Sequence, residues 1–301
     1  MNSIFTRIAW RICAALLLAA CALSGAQAQE SSGPFTQGLL WRIEKTGVAP
    51  SYLFGTIHID DQRVTTLPDP VRRSFYSTRT FTMEVSLDST NLLALSSRMV
   101  YDDGRTLADA TGPELYRQIM PIMEQHGVPE SLLPVFQPWA VTLMLEAPPQ
   151  NSMEVLDFKL YQMAQEQHKP IYELESADEQ IAVFTDMSEA DQIVLLKDAV
   201  ENYRDIPQQT EQLVQAYLAC DLARMWKISQ ESADDTAGLN DANQRFEQKL
   251  IDQRNVRMSG RMQPQLQQGG AFIAIGALHL YGMRGVPELL QQAGWKVMRV
   301  Y

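Results

Sequence analysis

Alternating apolar and polar positions predict β-strands near both ends of the chain. Residues 39–44 (Leu-Leu-Trp-Arg-Ile-Glu) alternate, and after a turn the apolar run 52–54 completes a predicted hairpin. Residues 80–85 and 271–275 are predicted to form further strands, and residues 295–300 alternate again. The sheet is therefore expected to draw its strands from both ends of the sequence.

The middle of the chain follows a helical period instead. Thr111-Gly-Pro-Glu114 and Ser176-Ala-Asp-Glu179 have the spacing of capping boxes, and apolar residues three or four positions apart follow each of them. One short strand is predicted inside this region, at 169–175. The pattern predicts a single α/β domain over 39–301 with a helical insertion.

A short motif occurs twice, once near each end of the predicted domain. Each apolar strand is followed by Gly-x-x-His, at Gly55-Thr-Ile-His58 and Gly276-Ala-Leu-His279. Sixteen glycines and four histidines scattered over 301 positions would give only about 0.2 such pairs. A glycine lets the backbone approach a neighbour closely. A histidine just after a strand lies at the carboxyl end of that strand, where α/β folds place their sites. The two motifs are predicted to be halves of one site.

Two carboxylates extend this candidate site. Glu84 and Glu175 each stand near the end of a predicted strand. Two imidazoles and one carboxylate are the ligand set of catalytic divalent-metal sites that keep a position for water, so His58, His279 and Glu84 are predicted as ligands. Glu175 is the carboxylate that is not needed as a ligand. It is predicted to act as a base, and the alternative is that its role is structural.

A polar cluster on a predicted helix supplies further candidates. Arg254 or Arg257 is predicted to stabilise a developing oxyanion, with Asn255 as an assisting group. The alternative is that these residues form a solvated helix face or a packing bridge. The sequence has no Gly-x-Ser-x-Gly, no His-Glu-x-x-His and no phosphate loop, which argues against serine hydrolases, common zinc peptidases and P-loop enzymes.

The N-terminal residues are predicted to be an export signal. Arg7 and Arg11 precede an apolar run at 12–23, and Ala26-Gln-Ala28 has the form of a cleavage site, so residues 1–28 are predicted to be a signal peptide and 29–38 a disordered leader. An alternative is that Leu18-Ala-Ala-Cys21 is a lipobox, with a lipid anchor at Cys21. The protein is expected in the periplasm or the cell envelope.

Net charge restricts the expected binding partners, and cysteine content restricts the expected disulfides. Removing residues 1–28 takes away two arginines and changes the net charge from −11 to −13, which disfavours nucleic acid and anionic lipid. One cysteine, Cys220, would remain, so no internal disulfide is expected. No other apolar run is long enough to span a membrane, so no transmembrane segment is expected in the mature chain.

The chain resembles the TraB/GumN family, which is related to the Tiki proteases and the EreA/ChaN-like superfamily. The resemblance covers about 39–300, and it is carried by Leu40-Trp-Arg-Ile-Glu44, both Gly-x-x-His motifs, Thr82-Met-Glu-Val85, Leu174-Glu-Ser176 with Gln180, and Arg254-Asn255. Glu154-Val-Leu-Asp157 stands where the family often has Gly-Leu/Met-Asp; it lacks the glycine and keeps the aspartate. The resemblance implies a mixed central sheet wrapped by helices, EreA/ChaN-like, with His58, His279 and Glu84 in one cleft and Arg254 or Asn255 beside them.

The resemblance also bears on function. Tiki relatives are regarded as divalent-metal peptidases, whereas ChaN-like relatives bind haem. The predicted function is an exported metal-dependent hydrolase, a peptidase by resemblance, which acts on a peptide or another small substrate with Mn, Co or Zn as the metal. The alternative is a non-catalytic cell-envelope protein that binds haem, metal or peptide.

Overall fold

A computed structural model describes residues 35–86, 95–147, 155–230 and 238–301. The predicted signal peptide and Cys21 lie outside the described residues. The core of the fold is one six-stranded sheet, whose strands are β1 Leu40–Glu44, β2 Ser51–Thr56, β3 Thr80–Met83, β4 Ile171–Glu173, β5 Ala271–Gly276 and β6 Lys296–Arg299.

The sheet is mixed, with the order β4-β3-β5-β2-β1-β6. β1 pairs antiparallel with β2 and with β6, which confirms the predicted hairpin. β2, β5, β3 and β4 are parallel neighbours. The register places Thr56 opposite Gly276, so the two Gly-x-x-His motifs leave the sheet side by side. The predicted α/β class with a mixed sheet and helical insertion is confirmed.

Helices cover the sheet and fill the long connection between β3 and β5. They are α1 Gln62–Thr65, α2 Asp69–Ser77, α3 Leu107–Gln125, α4 Pro138–Glu146, α5 Leu156–Glu166, α6 Ala177–Thr185, α7 Glu189–Glu201, α8 Ile206–Leu218, α9 Leu222–Ser229, α10 Leu239–Glu247, α11 Arg254–Arg261, α12 Gln263–Gln268 and α13 Val286–Gln292. A π-helical turn, Gln248–Gln253, leads into α11. None of the described helices is both long and apolar enough to cross a membrane.

Aromatic packing holds the sheet to its helical cover. Phe75 of α2 lies against Phe81 of β3 and Phe272 of β5, with ring centroids 5.8 and 5.2 Å apart. All three side chains are fully buried. Alternation along β3 then directs Thr82 to the opposite face, and Glu84, just after the strand, accepts a hydrogen bond from Arg254 of α11.

Two local predictions differ in part from the structure. A helical stretch follows Thr111 as predicted, but it continues, across a kink at Gly112 with a φ of 74°, a helical turn that begins at the Thr106 cap. The capping box is formed by Thr106 and Asp109, and the Thr111 hydroxyl donates to the Leu107 carbonyl instead. Of the leader predicted to be disordered, residues 29–34 lie outside the described residues, and Phe35 is packed, 3% exposed and edge-on to Trp41 at 4.9 Å. The composition of that segment is mostly polar and predicts disorder, but one aromatic ring is enough to anchor residues 35–38. The predicted box at Ser176 and Glu179 is confirmed.

Candidate functional site

The four parallel strands have their carboxyl ends on the same side of the sheet, and the candidate residues come together there. His58 follows β2, Glu84 follows β3, Glu175 follows β4, and His279 lies in the 3₁₀ turn after β5. All four are buried, with 1–4% of each residue exposed. Burial of this many ionisable groups requires that each be paired or hydrogen-bonded.

Gly55 allows the two motifs to pack against each other. A Cβ on Gly55 would lie 2.6 Å from Leu280 Cδ1 and 3.1 Å from Ala277 Cα. Only the absence of a side chain at this position lets the second motif approach β2 so closely.

Gly276 faces the point where the candidate ligands meet. A Cβ built on Gly276 would lie 3.5 Å from Glu84 Oε1, 3.5 Å from His279 Cδ2 and 3.9 Å from His58 Nε2. The structure therefore brings His58, His279 and Glu84 around one small space, as the sequence predicted.

The His58 ring is oriented by Asp157. His58 Nδ1 lies 2.7 Å from Asp157 Oδ2, and the Thr56 hydroxyl donates to Asp157 Oδ1 at 2.8 Å. A carboxylate only accepts, so the His58 proton belongs on Nδ1. With Nδ1 facing Asp157, the other ring nitrogen of His58, Nε2, is directed towards Gly276.

His279 is oriented in the same way by Asn255. The Asn255 amide nitrogen donates to the Arg284 carbonyl at 2.9 Å, which leaves Asn255 Oδ1 as the acceptor 2.6 Å from His279 Nδ1. His279 Nδ1 therefore carries the proton, and Nε2 is the lone-pair nitrogen. Burial, together with the nearby charge of Arg254, holds the pKa of His279 well below its usual range, so the ring is neutral at pH 7.

Glu84 is fixed at both carboxylate oxygens. Its Oε1 accepts from the Gly276 backbone N–H at 2.7 Å and lies 3.7 Å from His279 Nε2. Its Oε2 accepts from Arg254 at 2.6 Å and from the Gln180 amide at 3.2 Å. Oε1 is therefore the oxygen directed at the histidines.

Arg254 joins the two glutamates in a buried ion-pair network. Arg254 Nη2 donates to Glu84 at 2.6 Å and to Glu175 at 2.7 Å, and Arg257 pairs with the other oxygen of Glu175. Burial alone would lower the pKa of Arg254, but the two carboxylates more than offset it and hold that pKa above its ordinary value.

These contacts bear on the roles predicted for the charged residues. Arg254 also donates from Nε to Glu175 and from Nη1 to the Leu250 carbonyl, so all three guanidinium nitrogens are engaged. Within the described residues, the contacts of Arg254 and Arg257 lead to carboxylates and a backbone carbonyl, and the oxyanion role stays a prediction. Both oxygens of Glu175 are held by arginines, so its contacts are those of the structural alternative and not of a base.

The donor types at this site are those that a divalent metal takes. Two imidazole Nε2 atoms and one carboxylate oxygen are ligands that such ions take, and both rings have the Nδ1 partner typical of metal-binding histidines. Among the described residues, however, no group of three or more histidine, cysteine, aspartate or glutamate side chains is arranged so that it could hold a metal ion. His58, His279 and Glu84 would have to close around an ion.

Sequence reasoning missed two residues of this site as functional candidates. Asp157 was noted only as a retained aspartate, although it orients His58. Gln180 shares its amide group between Glu84 and Glu175, at 3.2 and 3.4 Å. Both come from the helical insertion, and only the tertiary fold brings them to the sheet edge.

Comparison with known proteins identifies the relatives of this chain. The model of the TraB/PrgY/gumN family matches residues 39–299. The chain is 24% identical to a Shigella flexneri protein named Uncharacterized protein YbaP, over 83% of this chain and 90% of that protein. No solved structure matches it.

Other matches carry a functional name. The chain is 26% identical to Metalloprotease TIKI1 of Danio rerio, over 86% of this chain and 62% of that protein. It is 25% identical to Metalloprotease TIKI1 of Homo sapiens, over 86% of this chain and 61% of that protein. The chain thus matches less than two thirds of the length of these two metalloproteases.

Proposed function

Since the chain belongs to the TraB/PrgY/gumN family, we propose that it is a metal-dependent hydrolase of the peptidase kind, with its centre at His58, His279 and Glu84. The observation that carries the proposal is the convergence of these side chains on Gly276. In each of them, the ring nitrogen or carboxylate oxygen that faces away from Gly276 is already held by a partner. The metalloprotease relatives support hydrolysis as the reaction.

Each residue has a definite task in this proposal. His58 and His279 would hold a divalent ion through Nε2, and Glu84 through Oε1. Such an ion polarises a carbonyl and lowers the pKa of a water molecule. Asp157 and Asn255 keep the imidazoles in the required tautomer and orientation. Arg254 and Gln180 hold Glu84 in place from behind.

Metal content and hydrolysis measured on the same preparations test the proposal. Purified protein reconstituted with Mn²⁺, Co²⁺ or Zn²⁺ is expected to retain about one ion per chain and to cleave members of a peptide library. His58→Ala and His279→Ala should each abolish metal retention and cleavage. The control is His168→Asn, because His168 is exposed and asparagine tolerates its positive φ of 50°.

The same measurements separate the hydrolase from the alternative binding protein. Cleavage that is removed by chelator and restored by one of the three ions supports the hydrolase. A retained ion, haem or peptide without turnover, lost in both histidine variants, supports the binding protein. Full metal content and full activity in either histidine variant would refute the shared site itself.

We further propose that the protein is exported, because residues 1–28 combine a basic start, an apolar run and a small-residue cleavage site. Mass spectrometry of the protein from the cell envelope is expected to find Gln29 as the first residue. A mature N-terminus at a lipidated Cys21 would support export with a lipid anchor. A full-length chain in the cytoplasm would contradict export.

A further inference from the structure

The helical insertion contains a small cavity. It lies among α4, α6, α7 and α10, and it leaves about 20 Å³ for the centre of a guest, enough for one water-sized group. Three aromatic rings contribute to its lining: Trp139 and Phe184 stack at 5.6 Å, and Phe246 lies 5.4 Å from Phe184. Gln180 of the candidate site and Phe184 are four positions apart on α6, so the cavity begins about one helical turn from the buried network.

The hydrogen-bond donors on the cavity-lining side chains are already in use. Trp139 Nε1 donates to the Gln137 side chain at 3.0 Å, and the Thr142 hydroxyl donates to the backbone of its own helix at 3.1 Å. The Gln192 amide nitrogen donates to two backbone carbonyls at 3.4 and 3.3 Å. The polar atoms that remain for a guest are the Thr142 oxygen and the Gln192 carbonyl oxygen, and both are acceptors.

Glu146 adds a carboxyl group to the same wall. Within the described ranges it forms no hydrogen bond or ion pair, and it is the only ionisable side chain among the lining residues. Burial, with the nearby carboxylate of Asp198, raises the pKa of Glu146 to about 8. An acid in this position lacks a positive partner.

We propose that this cavity binds a primary ammonium group, with Glu146 as its counter-ion. An ammonium group has three donors and no acceptor, which complements a wall that offers only acceptors when Glu146 is ionised. Its head is about the size of a water molecule, and aromatic faces attract cations. Once Glu146 is ionised, a hydroxyl group would bring acceptor lone pairs that meet no available donor on these side chains, and a quaternary ammonium exceeds the space.

Calorimetric titration of the full-length protein at pH 9 tests this site, because the Glu146 carboxyl and an alkylammonium are both charged at that pH. The probes are n-propylammonium chloride and Nα-acetyl-lysine methylamide, at constant ionic strength, with n-propanol as the neutral match. Both cations, or one of them, should bind while n-propanol does not. The tighter cation identifies the source as a free amine or a lysine side chain.

Two substitutions locate the binding. Glu146→Gln preserves shape and should weaken n-propylammonium binding at least tenfold, and Thr142→Val should weaken it severalfold, with circular dichroism confirming that each variant is folded. Glu201→Gln, on the exposed side of α7 where it pairs with Lys197, should leave the affinity unchanged. Equal affinity in Glu146→Gln, equal binding of n-propanol, or no binding of either cation would overturn the proposal.

Discussion

Substitution by alanine should affect the two glycines of the repeated motif differently. At Gly276 it should reduce function with little change in stability, whereas at Gly55 it should reduce stability. Gly276 has a φ of −54°, which any residue adopts, and its added Cβ would meet neighbours at 3.5–3.9 Å, the range of ordinary contact. Gly276→Ala should therefore change the free energy of unfolding by no more than about 1 kcal/mol. The new methyl group, however, would stand in the space on which His58, His279 and Glu84 converge.

The size of the functional effect follows from these distances. Bonds from nitrogen or oxygen to an ion such as Zn²⁺ are about 2.0–2.2 Å, whereas a methyl carbon prefers about 3.5–4.0 Å to its neighbours. A methyl group and an ion with its water cannot share this space without displacing the ligands. Gly276→Ala is expected to lower both metal retention and hydrolysis at least tenfold.

Gly55→Ala is the matched control. Its Cβ would lie 2.6 Å from the buried Leu280 Cδ1 and 3.1 Å from the Ala277 backbone, so overpacking should cost about 1–3 kcal/mol. Urea unfolding measures stability, and elemental analysis with peptide cleavage measures function. Wild-type metal content and activity in Gly276→Ala, or a larger loss of stability there than in Gly55→Ala, would refute the reasoning.

Three other predictions concern charge. Arg254→Met leaves two buried carboxylates without this partner and should lower the free energy of unfolding by about 3–5 kcal/mol in urea; a loss below about 1 kcal/mol would be inconsistent with the network. Asp157→Asn should weaken metal binding about 10–100-fold with little change in unfolding, and unchanged affinity would show that Asp157 does not orient His58. Glu146 has its pKa raised by burial from 4.5 to about 8, so the unfolded chain loses this proton first as pH rises. Stability should fall between those values by at most about 5 kcal/mol, and a pH profile of Glu146→Gln that falls as steeply would contradict this.

Local patterns in the sequence were enough to predict the sheet and the meeting of the two motifs. Strand alternation located β1 and β6, and parallel strands necessarily end at the same sheet edge. His58 and His279 could be paired because each is fixed by its own strand. Glu84 could be added for the same reason.

The rest depends on contacts between distant parts of the chain. Asp157 reaches His58 across 99 positions, and no local pattern shows that its carboxylate faces Nδ1. Arg254 carries the same charge whether it faces substrate or two glutamates, so only the fold distinguishes these roles. Thr111 does not form the predicted capping box, because its hydroxyl donates to the carbonyl of Leu107 in the helical turn that Thr106 caps.

The central claim is that His58 and His279 bind one ion, and X-ray absorption spectroscopy of the metal-loaded protein tests it most directly. The spectrum of the zinc form is expected to show two imidazole ligands at about 2.0–2.1 Å. One imidazole should remain in His58→Ala and in His279→Ala if either variant is loaded at high metal concentration. A spectrum without histidine scattering, or an imidazole count that neither substitution changes, would contradict the claim.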